Sequence, residues 1–185
     1  MPTTIIIPEE LYWDSINEMF FKKPSHSFVV EHSLVSVSKW ESKWKKPFIG
    51  DTKKTAKEVI DYIKCMTITQ NVDDSVYARL TTENLEEINQ YIDDKMTATF
   101  FAEEKVSGPV GKKEIITSEV IYHWMIEYGV PFECQKWHLN RLITLIKVRE
   151  AKAKAANGKK VNKRDTLSNN AKLNAERRKR LGTSG

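Results

Sequence analysis

The chain is short of the residues on which many fold-specific chemistries depend. Its 185 residues include only two cysteines, Cys65 and Cys134, far apart in sequence. Such usage excludes a disulfide framework and matches reduced thiols in a cytoplasmic protein. The seven glycines form neither a phosphate-cradling loop nor a dinucleotide-binding fingerprint. No run approaches the roughly 18 to 20 apolar residues of a membrane span, so no membrane partner is expected. The first residues, MPTTIIIPEELYWD, lack the basic start and apolar run of a secretory signal.

What is present is aromatic and unevenly charged. Five Trp, seven Phe and six Tyr within a 40% hydrophobic composition are enough for a real core in one domain. Residues 147–185 hold 13 Lys or Arg against 3 Asp or Glu, a net of +10; the chain total of +5 therefore leaves −5 on residues 1–146. The division is a globular domain over 1–150 and a basic, weakly helical or flexible tail over 151–185. Charge asymmetry of this kind marks a chain that meets a polyanion or an acidic partner through one end.

Hydrophobic period places the elements. Thr3 to Ile7, stopped by Pro8, reads as an edge strand, and Ser27 to Val30 as a second. Leu34, Val37, Trp40 and Trp44 share one helix face over 31–46, ended by Pro47 and Gly50. Thr55 and Glu58 have capping-box spacing before a helix over 55–67. Val76, Tyr77 and Leu80 form a shorter apolar pattern before a helix over 83–93. Thr97 to Phe101 reads as a strand that turns through 106–113 onto Glu114 to Thr117. A helix over 118–129 stops at Gly129, a natural left-handed residue. After Val130-Pro131 a second helix covers 135–150, and so short a turn predicts that the two pack as neighbours. Beyond Val148 the apolar spacing fails; Ala155 to Gly158 reads as a hinge and Lys163 to Leu181 as a marginal basic helix. The expected fold is mainly α, a small helical domain with one or two short β-hairpins and a basic C-terminal tail.

No catalytic constellation emerges. His123, Cys134 and His138, with Cys65, offer zinc-compatible atoms, but the close Cys and His pairs of a finger are missing. Asp93 or Asp94 with Glu103 and Lys105 resembles the carboxylates and lysine of a magnesium nuclease. The aspartates, however, end a helix, and a solvated charged turn explains the rest. His32, beside Glu31 and Ser33, reads as a packing or capping residue rather than a triad member. No enzyme, no cofactor and no metal are expected. Trp40 and Trp44, interleaved with lysines, could stack on bases, yet their place on the apolar stripe favours core anchoring.

Four blocks carry a resemblance. Glu31–Phe48 (EHSLVSVSKWESKWKKPF), Asp61–Thr67 (DYIKCMT), Met96–Phe100 (MTATF) and Pro131–Leu142 (PFECQKWHLNRL) are similar to proteins from the structural gene clusters of long-tailed bacteriophages. So is the closing run Lys163–Leu181. Together they span nearly the whole chain. The chain most resembles the tail assembly chaperones, small, mostly helical proteins made with the tail genes and absent from the finished virion. The resemblance implies a protein that holds the aggregation-prone tape measure protein, in the host cytoplasm, until tail tube subunits polymerise around it. Capture of an amphipathic helix would need an exposed aromatic groove, with Trp40, Trp44, Trp124, Met125 and Trp137 as candidate lining. The basic cluster Arg177, Arg178, Lys179 and Arg180 could meet an acidic partner or nucleic acid, and self-association is open. The alternative is a virion structural or adaptor protein whose basic tail contacts DNA.

Overall fold

A computed structural model describes residues 1–50, 53–99, 101, 115–156 and 175. Four strands come first: β1 (Thr3–Ile7), β2 (Glu10–Asp14), β3 (Met19–Lys23) and β4 (His26–Val30). β1 and β4 pair antiparallel, with Ile5 opposite Phe28 and Thr3 opposite Val30. Ile5, Ile7, Phe28 and Val30 are buried, so one face of this ribbon closes on the helices, as the period of two requires. β2 and β3 form a separate antiparallel ribbon inserted between them.

The helices are α1 (Leu34–Trp44), α2 (Ala56–Met66), α3 (Asp74–Tyr77), α4 (Thr82–Asp93), α5 (Ser118–Glu127) and α6 (Leu139–Ala156). Capping boxes start α1 at Ser33 with Ser36, and α2 at Thr55 with Glu58, each satisfying amide donors that the first turn leaves free. The end of α2 clasps β4: the Glu31 amide donates to Met66 O at 2.8 Å and the Ile68 amide to Val29 O at 2.9 Å. α4 packs on β1, where the Asn84 side chain donates to Ile6 O at 3.0 Å. α5 ends at Gly129, whose φ is +61°, and the Val130 amide closes the turn on Met125 O at 2.7 Å. A short 3-10 turn, Phe132–Lys136, then leads into α6, which packs against both that turn and α5.

Several expectations change. Among the described residues the fold is helix-rich but mixed α/β, with six α-helices and two two-stranded sheets, one of which was not expected. Thr97 to Thr99 and Phe101 are not strand. Met96 takes a left-handed φ of 47° and the Thr99 amide donates to Thr97 Oγ1 at 3.1 Å, a local turn that competes with strand pairing. The tip 106–113 and Glu114 lie outside the described residues; Ile115 to Thr117 lead into α5 without strand pairing. The last helix, expected over 135–150, covers Leu139–Ala156. Residues 147–155 have no buried position, but Ala, Lys, Arg and Glu are strong helix formers that need no core to continue a helix. The rest of the tail lies outside the described residues, apart from Ala175, which is helical.

Candidate functional site

Three of the blocks that carry the resemblance meet inside the fold. His32, Ser33 and Ser36 from the start of α1, Tyr62 of α2, Tyr91 of α4 and His138 before α6 are all buried. His32 Nδ1 lies 2.5 Å from the Tyr62 hydroxyl, which is also 3.3 Å from Ser36 Oγ. His138 Nε2 donates to Tyr91 O at 2.9 Å, and the Leu139 amide donates to His32 O at 2.9 Å. With Nε2 donating, His138 Nδ1 has no hydrogen-bond partner among the described residues. Phe48 covers the group, its ring 4.0 Å from that of Tyr62.

The electrostatics favour neutral rings. Burial, then the neighbouring His138, holds His32 down to about 3; burial also lowers His138 and raises the Tyr62 phenol. The shifts carry these groups away from neutral pH, and the two bonded pairs, joined through the His32–His138 ring contact, tie α1, α2, α4 and the entry to α6 together. Among the described residues no serine hydroxyl bonds to either imidazole ring. A small open cavity of about 240 Å³ lies beside it, bordered by Ser33, Ser36, Cys65, Met66 and Lys136. Burial pushes the Cys65 thiol up, the opposite of an activated nucleophile.

A buried acid adjoins the same region. Glu41 of α1 accepts from the Phe48 amide and from the Ser118 amide, both at 2.7 Å. α5 has no side-chain cap of its own at Thr117, so a carboxylate from another helix supplies it.

The five residues expected to line a groove sit at two depths. Trp40 and Met125 lie in the core, with Trp40 Nε1 donating to Glu58 O at 2.8 Å. They share their helix faces with Val37 and Ile121, so the period that marked them also buried them. Trp44, Trp124 and Trp137 are half-buried against the core, and the Arg141 guanidinium sits 4.4 Å over the Trp137 ring. Arg177, Arg178, Lys179 and Arg180 lie outside the described residues. His123 is exposed and faces Glu127 at 3.9 Å, whereas Cys134 and His138 are buried. Among the described residues no group of three or more His, Cys, Asp or Glu could hold a metal. Asp94 caps a turn by accepting from the Met96 amide at 2.9 Å, and Glu103 and Lys105 lie outside the described residues.

Two apolar surfaces escaped the sequence reading. On α5, Ile126 is exposed one turn after Tyr122, whose ring lies 6.3 Å from that of the exposed Phe132. The spacing of Tyr122 and Ile126 marks them as neighbours on one face. The other surface is the β2–β3 ribbon, which exposes Leu11, Trp13, Ile16, Phe20 and Phe21. The signal for it was two apolar triplets, Leu11-Tyr12-Trp13 and Met19-Phe20-Phe21, around the turn-forming Asp14 to Glu18.

No family model, curated protein or solved structure matches the chain. Among the described residues, no helix is long and apolar enough to cross a membrane.

Proposed function

We propose that this chain is a non-enzymatic tail assembly chaperone of a long-tailed bacteriophage, binding the tape measure protein during tail morphogenesis in the host cytoplasm. The observation that carries the reading is the set of sequence blocks, Glu31–Phe48, Asp61–Thr67, Met96–Phe100, Pro131–Leu142 and Lys163–Leu181, distributed along the chain from residue 31 to residue 181, by which it resembles such proteins. The geometry lends support to a binding role. The buried network joins α1, α2, α4 and α6 into a scaffold, and the face of Tyr122, Ile126 and Phe132 presents apolar groups on its outside. Such a stripe suits the apolar side of an amphipathic helix.

The test is co-expression. The tape measure protein, insoluble alone, becomes soluble and co-purifies with this chain, and the chain is missing from purified virions. A tape measure protein that stays insoluble, with this chain stoichiometric in mature virions, would replace this reading with the second one. That second reading, a virion structural or adaptor protein, is favoured by the net +10 of residues 147–185. It predicts DNA binding that weakens steeply with salt as phosphate contacts are lost.

A further inference from the structure

We propose that the β2–β3 arm is a self-association surface, and that its partner is the same face of the arm on a second copy of this chain. The arm is a formed element rather than a loose excursion. At its root Arg79 donates to Pro8 O at 2.9 Å and Pro24 O at 3.1 Å, and pairs with Glu10 at 3.4 Å. At its tip Asp14 accepts from the Ile16 amide at 2.8 Å, while the Asn17 side chain donates to it at the same distance.

The register sorts the arm into two unlike faces. Residues directly opposite one another share a face. Trp13 opposes Phe20 and Leu11 opposes Lys22, whereas Glu10 opposes Lys23, Tyr12 opposes Phe21 and Asp14 opposes Met19. One face therefore carries Glu10, Asp14 and Lys23 among its apolar groups. The other is apolar except for Lys22, which Glu9 neutralises at 2.7 Å. On that face the Trp13 and Phe20 rings meet edge to face at 4.9 Å. An isolated two-stranded ribbon is marginal in water and needs a hydrophobic face covered.

Area and charge both select a second copy. Leu11, Trp13 and Phe20, with Ile16 at the tip, are 55 to 89% exposed. At about 200 Å² for a large side chain, that is on the order of 550 Å² of apolar surface. With all four side chains fully covered, Ile16 at the tip included, two copies together would remove at most about 1,100 Å², just above the roughly 1,000 Å² that a specific interface needs. An isologous contact places the same patch on itself. It brings no like charges together here, because the single lysine of the face is already paired. The Trp13–Phe20 pair near the tip of the ribbon can meet the same pair on a second copy, and the proposal is independent of tape measure binding through α5.

The experiment is sedimentation equilibrium on the full chain, alone, with circular dichroism as the folding control. Wild type is expected at twice its 21.4 kDa mass. Trp13→Glu and Phe20→Glu, both outside the core, are expected to keep the wild-type spectrum and raise the dimer dissociation constant at least about 100-fold, as loss of an aromatic anchor does. Tyr12→Gln, on the opposite face, is expected to leave the dimer intact. A wild-type chain that stays monomeric at the highest soluble concentration overturns the proposal, whatever the variants do. So does a dimer that persists in both Glu variants, or one abolished equally by Tyr12→Gln. A monomer whose tape measure complex is lost on Trp13→Glu would assign the arm to the client and likewise overturn it.

Discussion

The imidazoles of His32 and His138, 106 positions apart in the chain, meet edge to face in the interior with ring centroids 5.0 Å apart. Each is bonded to a tyrosine residue, His32 to the Tyr62 hydroxyl and His138 to the Tyr91 carbonyl. This contact ties the entry to α1 to the entry to α6.

Acid should loosen it in a defined window. His32 is held at about 3 against an ordinary 6.5, so the unfolded chain takes up the proton first as pH falls. The stability of the neutral ring is full above about 6.5 and is lost progressively toward about 3. Melting temperature is expected to be flat above neutral pH and to decline below it. His32→Asn keeps a side-chain oxygen near the Nδ1 position and cannot titrate, so its decline between pH 6.5 and 4.5 should be shallower. An unchanged slope in that variant would assign the acid sensitivity to other groups.

Glu58 adds a separate loss at lower pH. Hydrogen bonds from Lys46, then from the Thr55 backbone, hold its carboxyl at about 2 against an ordinary 4.5. Stability from this depressed acid is complete above about 4.5 and disappears as pH falls toward 2. Glu58→Gln is expected to melt lower than wild type at pH 7, with the gap narrowing as pH approaches 2.5.

Glu41→Ala should be among the most damaging substitutions outside the apolar core. It strips the Phe48 and Ser118 amides of their acceptor and exposes the start of α5 to an unpaired donor. Bonds to a charged group are worth about 1.5–3 kcal/mol each, less whatever water recovers. A loss of roughly 2–4 kcal/mol in urea unfolding is expected; a loss below about 0.5 kcal/mol would mean that the cap is dispensable.

Gly129→Ala tests the helix stop. The residue sits at φ +61° with the Arg149 guanidinium 3.4 Å from the place a Cβ would take. That distance is an ordinary contact with the end of a flexible side chain, so the left-handed backbone alone predicts a destabilisation of about 1 kcal/mol, read from the urea midpoint.

Ile126→Glu combined with Phe132→Glu separates binding from folding. Both side chains are exposed, so thermal stability should move by less than about 0.5 kcal/mol. Solubilisation of the tape measure protein on co-expression should be lost. Retained solubilisation would move the client surface elsewhere on the molecule.

Local signals determined much of the architecture. The apolar stripe of Leu34, Val37 and Trp40, the Thr55–Glu58 box and the Gly129 stop each depend on residues within a few positions, and each element forms where those residues lie. Strand pairing and the functional surfaces were decided at longer range. A stripe marks which side of a helix is apolar but not what lies against it. The stripe that favoured core anchoring for Trp40 left it and Met125 open as groove lining as well, and the fold places both in the core. Leu11-Tyr12-Trp13 and Met19-Phe20-Phe21 lack clean alternation, so only their pairing across Asp14 to Glu18 shows a ribbon with one apolar face. The His32–His138 contact and the Glu41 cap on α5 join residues 106 and 77 positions apart. Such contacts depend on how helices stack, which no local period encodes.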